Sequence, residues 1–207
     1  MAEKPKKRRA DGELSRTRIL DAATEIAAER GYEGTSIGAV SAKCGLPASS
    51  IYWHFTDKDD LMAAVIERSF GTWLDVWQLP AEGSPQERLI AISIRCAQAF
   101  AESPDFIRLG LMLTLERRPV EPRARAMFLQ VRERAFTMLV GSVRELAPEL
   151  TEAQAQQLAG YAMAGADGLF IAKEIGGDSV DLLALFETHG RSLWATAERM
   201  IADSRTG

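Results

Sequence analysis

One short stretch of the sequence concentrates side chains that can donate hydrogen bonds to anionic oxygens. It runs from Ala48 to Lys58, and its polar and aromatic members are Ser49, Ser50, Tyr52, Trp53, His54 and Lys58. Ile51 and Phe55 stand four residues apart and share one apolar face of a helix. Hydroxyl, indole, imidazole and ammonium groups on the other face suit contacts with phosphate oxygens and base edges. Core packing by Tyr52 and Trp53 is the alternative, but Ile51 and Phe55 already take the inward positions.

The signals for helix ends place this stretch in a helix-turn-helix. A first helix is predicted from a Ser15 cap to Gly31, and a short second helix from a cap at Thr35 or Ser36. The inward residues predicted for these two helices are small or apolar: Ile19, Ala23, Ile26, Ala27, Ile37, Val40, Ser41 and Cys44. Gly45-Leu46-Pro47 then turns the chain into a third helix, Ala48 to Phe55. Asp57 is expected to cap a fourth helix that begins at Lys58.

In a helix-turn-helix the second helix enters the major groove of DNA, with its N-terminal residues nearest the bases. Those residues are Ala48, Ser49 and Ser50. Two hydroxyls can bond bases or phosphates, and the Ala48 methyl can contact a thymine methyl. The pattern therefore predicts double-stranded DNA as a partner.

Beyond this motif the spacing of apolar residues stays helical, and the prolines fall at helix boundaries. We predict an all-α protein with further helices over Asp60–Leu79, Ser84–Glu102, Asp105–Arg117, Pro122–Leu146, Glu152–Ile175 and Ser179–Ala202. The predicted organisation is a disordered basic arm over 1–12, a helix-turn-helix domain over 13–58 and a helical domain over 59–207.

Charge is distributed unevenly along the chain. The net charge is −4, but ten Lys or Arg face eight Asp or Glu up to Lys58, and 15 face 21 after it. A basic N-terminal part, up to Lys58, followed by an acidic remainder indicates an anionic partner at the N-terminal end. The basic arm is either a further DNA contact or a solubilising tail.

The segments Gly31–Ile37 and Ile51–Leu61 closely resemble the DNA-binding domain of the tetracycline-repressor (TetR) family. The run Tyr52-Trp53-His54-Phe55, followed by Asp57-Lys58, carries most of this resemblance, which covers about residues 14–66. It implies about nine helices, with an N-terminal three-helix reading domain and a C-terminal ligand-binding and dimerisation domain. It further implies a ligand-responsive transcriptional repressor that binds a palindromic operator as a homodimer, and is released by a small apolar or amphipathic molecule.

From the motif and the resemblance together, nine residues are predicted to contact DNA. They are Thr35, Ser36, Ala48, Ser49, Ser50, Tyr52, Trp53, His54 and Lys58. Gly38 departs from the family pattern, in which a polar or charged side chain often helps to read DNA. Base recognition is therefore expected to come mainly from positions 48 to 52.

Dimerisation and ligand binding are assigned to the predicted helical domain over residues 59–207. The predicted dimer residues, on the last two helices, are Tyr161, Gly165, Leu169, Phe186, His189 and Leu193. The predicted ligand residues are large, adaptable side chains of the middle helices with one carboxylate: Trp73, Trp77, Phe106, Leu109, Met112, Met127, Phe128 and Asp167. Asp167 has an alternative role as an acceptor for a neighbouring backbone group or arginine.

Other classes of function find little support. The chain has two histidines and two cysteines and lacks a phosphate loop, so an enzyme, a cofactor and a metal site are not expected. The two thiols and the absence of a long apolar run predict a cytoplasmic protein without a membrane span. Two alternatives stay open, a thiol redox sensor acting through Cys44 and a DNA-binding protein without a ligand.

Overall fold

The computed structural model describes residues 4–74, 78–115 and 122–206. Within these ranges the chain forms nine α-helices and no strand, which confirms the all-α prediction. The helices are α1 Lys4–Gly34, α2 Ile37–Cys44, α3 Ala48–His54, α4 Lys58–Leu74, α5 Pro85–Glu102, α6 Asp105–Leu115, α7 Arg123–Leu146, α8 Glu152–Gly176 and α9 Leu182–Thr206.

Helix α1 begins inside the segment predicted as a disordered basic arm over residues 1–12, and the role of that arm stays a prediction. Residues 4–12 are helical and continue into the rest of α1, while residues 1–3 lie outside the described ranges. Pro5 stands in the first turn, where its missing N–H leaves no helical hydrogen bond unmade. The Lys, Arg and Ala residues that follow favour a helix. Ser15, expected as the cap, lies inside the helix instead, and its hydroxyl donates to the Asp11 carbonyl (2.8 Å).

Most other helix ends follow the predicted signals. Gly31 interrupts α1 with a φ of 67°, a conformation that glycine adopts without strain. Ser36 caps α2 by accepting from the Ala39 N–H, and Asp57 caps α4 by accepting from the Asp60 N–H (2.8 Å).

The ends of α4 and α9 differ from the prediction. Helix α9 begins at Leu182 rather than at residue 179, because a 3₁₀ turn over Gly177–Ser179 precedes it. Residues 78–80 are not helical, so α4 does not extend to Leu79. The predicted helical residues 75–77 and 116–117 lie outside the described ranges.

The described chain divides into two compact units. The first contains the described residues of Met1–Gly71 and Asp105–Val131, and is therefore larger than the predicted 13–58 domain. Its core includes the predicted inward residues Ile19, Ala23, Ile26, Val40, Cys44, Ile51 and Phe55. Helix α6 meets the start of α7 at Gly110, where an added Cβ would lie 1.9 Å from the Phe128 ring. Only glycine allows this approach.

The second unit contains the described residues of Thr72–Pro104 and Arg132–Gly207. Helices α5, α8 and α9 and the later part of α7 enclose a core that includes Leu89, Leu139, Leu158 and Leu193. Gly190 of α9 lies against α5, because a Cβ there would be 3.2 Å from the Ile90 Cα and 2.8 Å from the Ser93 Oγ. Close approach of these helices fixes which face of α9 remains exposed.

Candidate nucleic-acid interface

The turn between α2 and α3 is held by backbone conformation and by two side chains. Gly45 ends α2 in the left-handed conformation (φ 66°, ψ 22°), and its N–H donates to the Ser41 carbonyl. The Ser41 hydroxyl donates to the Leu46 carbonyl (2.7 Å), and the Arg18 guanidinium of α1 donates to the Cys44 carbonyl (2.6 Å). These bonds satisfy carbonyls that the end of α2 leaves without helical partners. The angle between α2 and α3 is thereby fixed.

Helix α3 presents the side chains that the sequence predicted to face outward. Ile51 and Phe55 are buried, whereas Tyr52 is 56% and Trp53 75% exposed. Ser49 is also exposed, and Ala48, Ser50 and His54 are partly exposed on the same short helix. The first two turns therefore carry hydroxyl and aromatic donors on one side and core residues on the other. This arrangement matches what insertion into a major groove requires.

His54 packs against the ring of Trp53 and lies within the electrostatic influence of Arg16. Its ring meets the Trp53 ring edge to face, with centroids 4.6 Å apart. Burial, and then the positive charge of Arg16, hold the pKa of His54 below its ordinary value. At neutral pH the imidazole is therefore uncharged, and it offers one N–H to an acceptor.

Two predicted phosphate contacts at the start of α2 have different surroundings. Thr35 is 1% exposed, and its hydroxyl donates to the Gly31 carbonyl (2.8 Å). This corrects the prediction that Thr35 contacts DNA, because a buried, bonded hydroxyl cannot reach a phosphate. Ser36 is exposed, and its oxygen accepts from the Ala39 N–H. Gly38 is exposed beside it, and an added Cβ would meet only the Ser36 Oγ, at 4.0 Å.

Lys58 is engaged within the first unit. Its ammonium group donates to the Tyr32 carbonyl (3.2 Å), lies 3.5 Å from a Glu33 carboxylate oxygen and stands 4.3 Å from the centre of the Tyr32 ring. A phosphate contact by Lys58, which remains a prediction, would require it to exchange some of these partners. Its charge nevertheless lies at the beginning of α4, where backbone N–H groups also favour an anion.

Sequence reasoning missed a junction next to Lys58. The Asp59 carboxylate accepts from the Tyr32 hydroxyl (2.9 Å) and from the N–H groups of Arg123 and Ala124 at the beginning of α7. It therefore satisfies backbone donors that the first turn of α7 leaves without helical partners. The partners lie between 27 and 65 residues away in sequence, so no local signal could reveal them.

The predicted ligand residues fall in both units. In the first unit, Phe106 and Leu109 line a narrow recess with room for about one water molecule. Phe128 is buried with its ring 5.6 Å from that of Phe106, whereas Met112 is 50% exposed and Met127 partly exposed. In the second unit, buried Trp73 packs on Phe100, with ring centroids 4.9 Å apart. Trp77 lies outside the described residues.

Asp167 forms a two-pronged ion pair with Arg132. Its carboxylate oxygens accept from both terminal nitrogens of the guanidinium, at 2.9 and 2.7 Å. Both side chains are about three-quarters buried. The arrangement matches the alternative role given to Asp167, that of an acceptor for an arginine.

The predicted dimer residues separate into two groups. Phe186 and Leu193 are buried in the second unit, at 1% and 3% exposure, which corrects the prediction that they contact a partner chain. Gly165 faces His189 of the same chain, since a Cβ there would lie 2.3 Å from the His189 ring, and Leu169 is partly exposed. Tyr161 is 57% exposed.

The exposed face of α8 is therefore different from the predicted one. It carries small and apolar residues at helical spacing: Tyr161, Ala164, Gly168, Ile171 and Ile175. Sequence periodicity could not separate this face from the adjoining one, because Gly and Ala residues occur on both.

None of the helices in the described ranges is long and apolar enough to span a membrane.

Comparison with known proteins finds the same motif. Residues 19–65 match the family model of bacterial regulatory proteins, tetR family. The chain is 34% identical over 64 residues to the HTH-type transcriptional regulator AcrR of Shigella flexneri, covering 31% of this chain and 30% of that protein. It is 34% identical over 73 residues to UidR of Escherichia coli K12, covering 35% and 37%. These matches span only about a third of the relatives' length.

Solved structures with a similar fold cover most of the chain. The fatty acid degradation regulator FadR of Bacillus halodurans aligns with a TM-score of 0.73 at 18% identity, over 86% of this chain and 94% of that one. FadR of Bacillus subtilis in complex with stearoyl-CoA aligns at 0.69 and 19%, over 86% and 96%. A Saccharomonospora viridis regulator in complex with choline aligns at 0.68 and 20%, over 86% and 94%. At these identities the likeness shows a shared fold.

Proposed function

We propose that the chain is a transcriptional repressor of the TetR family of bacterial regulatory proteins, and that its helix α3 reads an operator in double-stranded DNA. The match of residues 19–65 to the model of that family supports this proposal. The exposure of Tyr52 and Trp53 on a helix anchored by buried Ile51 and Phe55 carries the proposal. Large aromatic side chains are kept on a surface where a partner covers them, and the neighbouring donors suit a polyanion.

Each exposed residue of α3 has a role that follows from its position. Ala48, Ser49 and Ser50 stand at the N-terminal end and contact base edges. Tyr52, Trp53 and the neutral His54 donate hydrogen bonds to phosphate oxygens. Ser36, at the beginning of α2, is a further phosphate contact, and Gly38 contributes none.

A helix of seven residues reads few base pairs, so the proposal includes a homodimer on a palindromic site. The exposed face of α8, from Tyr161 to Ile175, supports this part of the proposal. Its apolar residues recur at intervals of three and four, and small residues at positions 164 and 168 allow close approach of a second helix. Tyr161 stays in the interface, whereas Phe186 and Leu193 support it from within the protomer.

Selection of bound duplexes from random DNA tests operator reading. The purified full chain is expected to enrich an inverted repeat whose half-sites are one or more helical turns apart, about 10–10.5 base pairs per turn. Enrichment of no sequence, or of an unrepeated half-site alone, would contradict the proposal.

Charge insertion tests the dimer surface. Ile171→Glu on α8 is expected to shift the chain from dimer to monomer in sedimentation experiments, because an unpaired carboxylate would be buried. Leu129→Glu on α7 is the matched control, since Leu129 and Ile171 are 37% and 40% exposed. Equal sedimentation of both variants and the wild type would place the interface elsewhere.

The effector is proposed to be a small apolar or amphipathic molecule. A cluster of aromatic side chains in the second unit, Trp73, Phe100, Phe170 and Phe186, supports an apolar ligand. The Arg132–Asp167 ion pair, whose side chains are about three-quarters buried, supplies charged groups for an amphipathic one. The stearoyl-CoA and choline bound by two proteins of the same fold are amphipathic or cationic molecules of this kind.

Stearoyl-CoA, choline and simple fatty acids are the first compounds to test. An effector is expected to raise the melting temperature and to weaken operator binding, since it must favour one arrangement of the dimer over the other. A compound that raises the melting temperature but leaves operator affinity unchanged would contradict the coupling.

The thiol-sensor alternative has less support than a ligand. Cys44 is 8% exposed and packed in the core below the reading helix. Burial raises the pKa of the Cys96 thiol to about 12, so that side chain is protonated and unreactive at neutral pH. Peroxide sensitivity of operator binding that disappears in Cys44→Ser would favour the sensor instead.

A further inference from the structure

The side chain of Arg16 on α1 has no role in the function proposed so far. It is exposed, and its guanidinium carbon stands 5.5 Å from the centre of the ring of Phe55, the buried residue that directly follows α3. A guanidinium group is attracted to the face of an aromatic ring, and this attraction occupies none of its N–H donors. Arg16 is therefore held beside the end of α3 with its hydrogen-bonding groups available.

Arg16 differs from other cationic side chains that the structure describes in the first unit, because these have acceptors within the chain. Arg18, two residues further along α1, donates to the Cys44 carbonyl (2.6 Å). Further cations of this unit lie within ion-pair distance of carboxylates: Arg30, Lys43, Lys58, Arg68, Arg108 and Arg123. Across the described part of the chain, no carboxylate or carbonyl oxygen pairs with the guanidinium of Arg16. Its positive charge is thus available to an anion from outside the chain.

Arg16 lies next to side chains assigned to DNA phosphates. Burial, and then the positive charge of Arg16, lower the pKa of His54, so the guanidinium is close enough to act on the imidazole. The His54 ring in turn meets the Trp53 ring, with centroids 4.6 Å apart. A Cβ added to Gly12, one turn before Arg16 on α1, would lie 3.7 Å from the Trp53 ring. The face of α1 that carries Gly12 and Arg16 therefore runs along the end of α3.

Positive charge is what α3 itself lacks. The helix contains no Lys or Arg, and its one histidine, His54, is uncharged at neutral pH. Much of the affinity of a protein for DNA comes from cations that replace counterions at the phosphates. A guanidinium suits this role, because two of its N–H groups can bond two oxygens of one phosphate. Arg16 brings that charge to the end of α3.

We propose that Arg16 is a DNA-binding residue, which pairs with a backbone phosphate beside those bound by Trp53 and His54. The inference rests on the proposed function, because that function places the duplex against α3. Arg16 reads no base. Its contact adds affinity that decreases as the salt concentration rises, since the pairing releases counterions from the duplex.

Removing the charge of Arg16 tests the contact. The full-length variant Arg16→Gln is compared with the wild type on a mixed-sequence duplex of about 30 base pairs, at about 50 to 200 mM salt. Its log–log salt slope should be smaller by about one per protomer, and its affinity at low salt about 3- to 10-fold weaker. Arg144→Gln is the matched control, since Arg144 is exposed in the second unit, and it should bind like the wild type. An unchanged salt slope in Arg16→Gln would overturn the inference.

Two further variants separate the phosphate contact from packing against Phe55. Arg16→Lys keeps the charge and should recover most of the salt slope that Arg16→Gln loses. Arg16→Met keeps an apolar stem without the charge, and should lose as much slope as Arg16→Gln. Melting temperatures equal to that of the wild type verify that the helix-turn-helix is folded. Loss of the slope in Arg16→Lys, or its recovery in Arg16→Met, would assign Arg16 to packing and overturn the inference.

Neutral phosphate analogues locate the contact on a selected operator duplex. A single methylphosphonate at one position of each half-site should weaken binding of the wild type about 3- to 10-fold, but leave binding of Arg16→Gln unchanged. Equal losses for the two proteins at every position would contradict a direct contact. An enriched inverted repeat together with an unchanged salt slope in Arg16→Gln contradicts this contact alone, whereas the absence of an enriched repeat contradicts the proposed function.

Discussion

Tyr52 and Tyr161 are exposed to nearly the same extent, 56% and 57%, yet their neighbours differ in kind. Around Tyr52 the surface of α3 carries Ser49, Trp53 and His54, which donate hydrogen bonds. Around Tyr161 the surface of α8 carries Ala164, Gly168 and Ile171, which offer apolar contact and close approach. Exposure alone therefore does not identify a partner. The side chains within one helical turn of each tyrosine are more informative. They favour DNA as the partner of α3 and another helix as the partner of α8.

The two helix pairs also differ in how they are joined. The α2–α3 pair depends on a short turn, with Gly45 in the left-handed conformation and hydrogen bonds to the carbonyls of Cys44 and Leu46. The α8–α9 pair depends on the contact between Gly165 and His189. A backbone conformation thus sets the angle between α2 and α3, and a steric contact sets the approach of α8 to α9, next to the surface proposed for dimerisation.

Exchanging the two tyrosines for alanine gives the largest expected difference. Tyr52→Ala should weaken operator binding about 10- to 100-fold, because it removes a proposed phosphate contact at the centre of the reading helix. It should leave the melting temperature within about 1–2 °C of the wild type, since the ring is exposed. Tyr161→Ala should weaken self-association in sedimentation experiments instead. If both variants changed operator affinity equally at concentrations that saturate the dimer, the distinction between the two surfaces would be lost.

Filling the space between α8 and α9 is expected to have the next largest effect. Gly165→Ala should lower the free energy of unfolding by about 1–3 kcal/mol, because the new methyl group would displace the His189 ring. Gly141→Ala is the matched control, since a Cβ there meets nothing within 4 Å. It should raise stability by up to about 1 kcal/mol through helix propensity. Chemical denaturation measures both, and an unaffected Gly165→Ala variant would show that the helices can move apart.

Lowering the pH should weaken the contact between α8 and α9 at His189. Burial lowers the pKa of His189 from its ordinary value of 6.5, although its hydrogen bond to the Ala162 carbonyl opposes the shift. The unfolded chain therefore takes up the proton first, so this contribution to stability is full above pH 6.5 and decreases as the pH falls below it. Melting temperatures at about pH 7.5 and 5.5 should differ more for the wild type than for His189→Gln. An equal difference would exclude His189 as a source of acid sensitivity.

The smallest effect is expected at Gly38. The position is exposed and open, so Gly38→Ala should change operator affinity less than about twofold while stabilising α2 by about 0.5–1 kcal/mol. Ser50→Ala serves as the comparison in the same binding titration, and should lose more affinity. A larger loss at Gly38 than at Ser50 would mean that the backbone of α2 approaches DNA closely there.

The local signals in the sequence were sufficient to predict most of the helices and the exposed face of α3. Ser36 and Asp57 cap their helices as predicted, and Gly45 adopts the turn conformation expected of it. Ile51 and Phe55 are buried while Tyr52 and Trp53 are exposed, as their spacing indicated. These features depend on residues within one or two turns of one another, and such information is contained in the sequence itself.

Only the tertiary structure decided features that join distant residues. It showed that Asp59 binds the beginning of α7, that Thr35 is buried, and that Asp167 pairs with Arg132 across 35 residues of sequence. It also turned Gly165 toward His189 and left Tyr161, Ile171 and Ile175 exposed. A stripe of small residues on a helix is compatible with several packing directions, and the choice depends on the shape of the neighbouring helix. The stretch from Ala48 to Lys58 was thus determined by its own residues, whereas the surface assigned to dimerisation was determined by its surroundings.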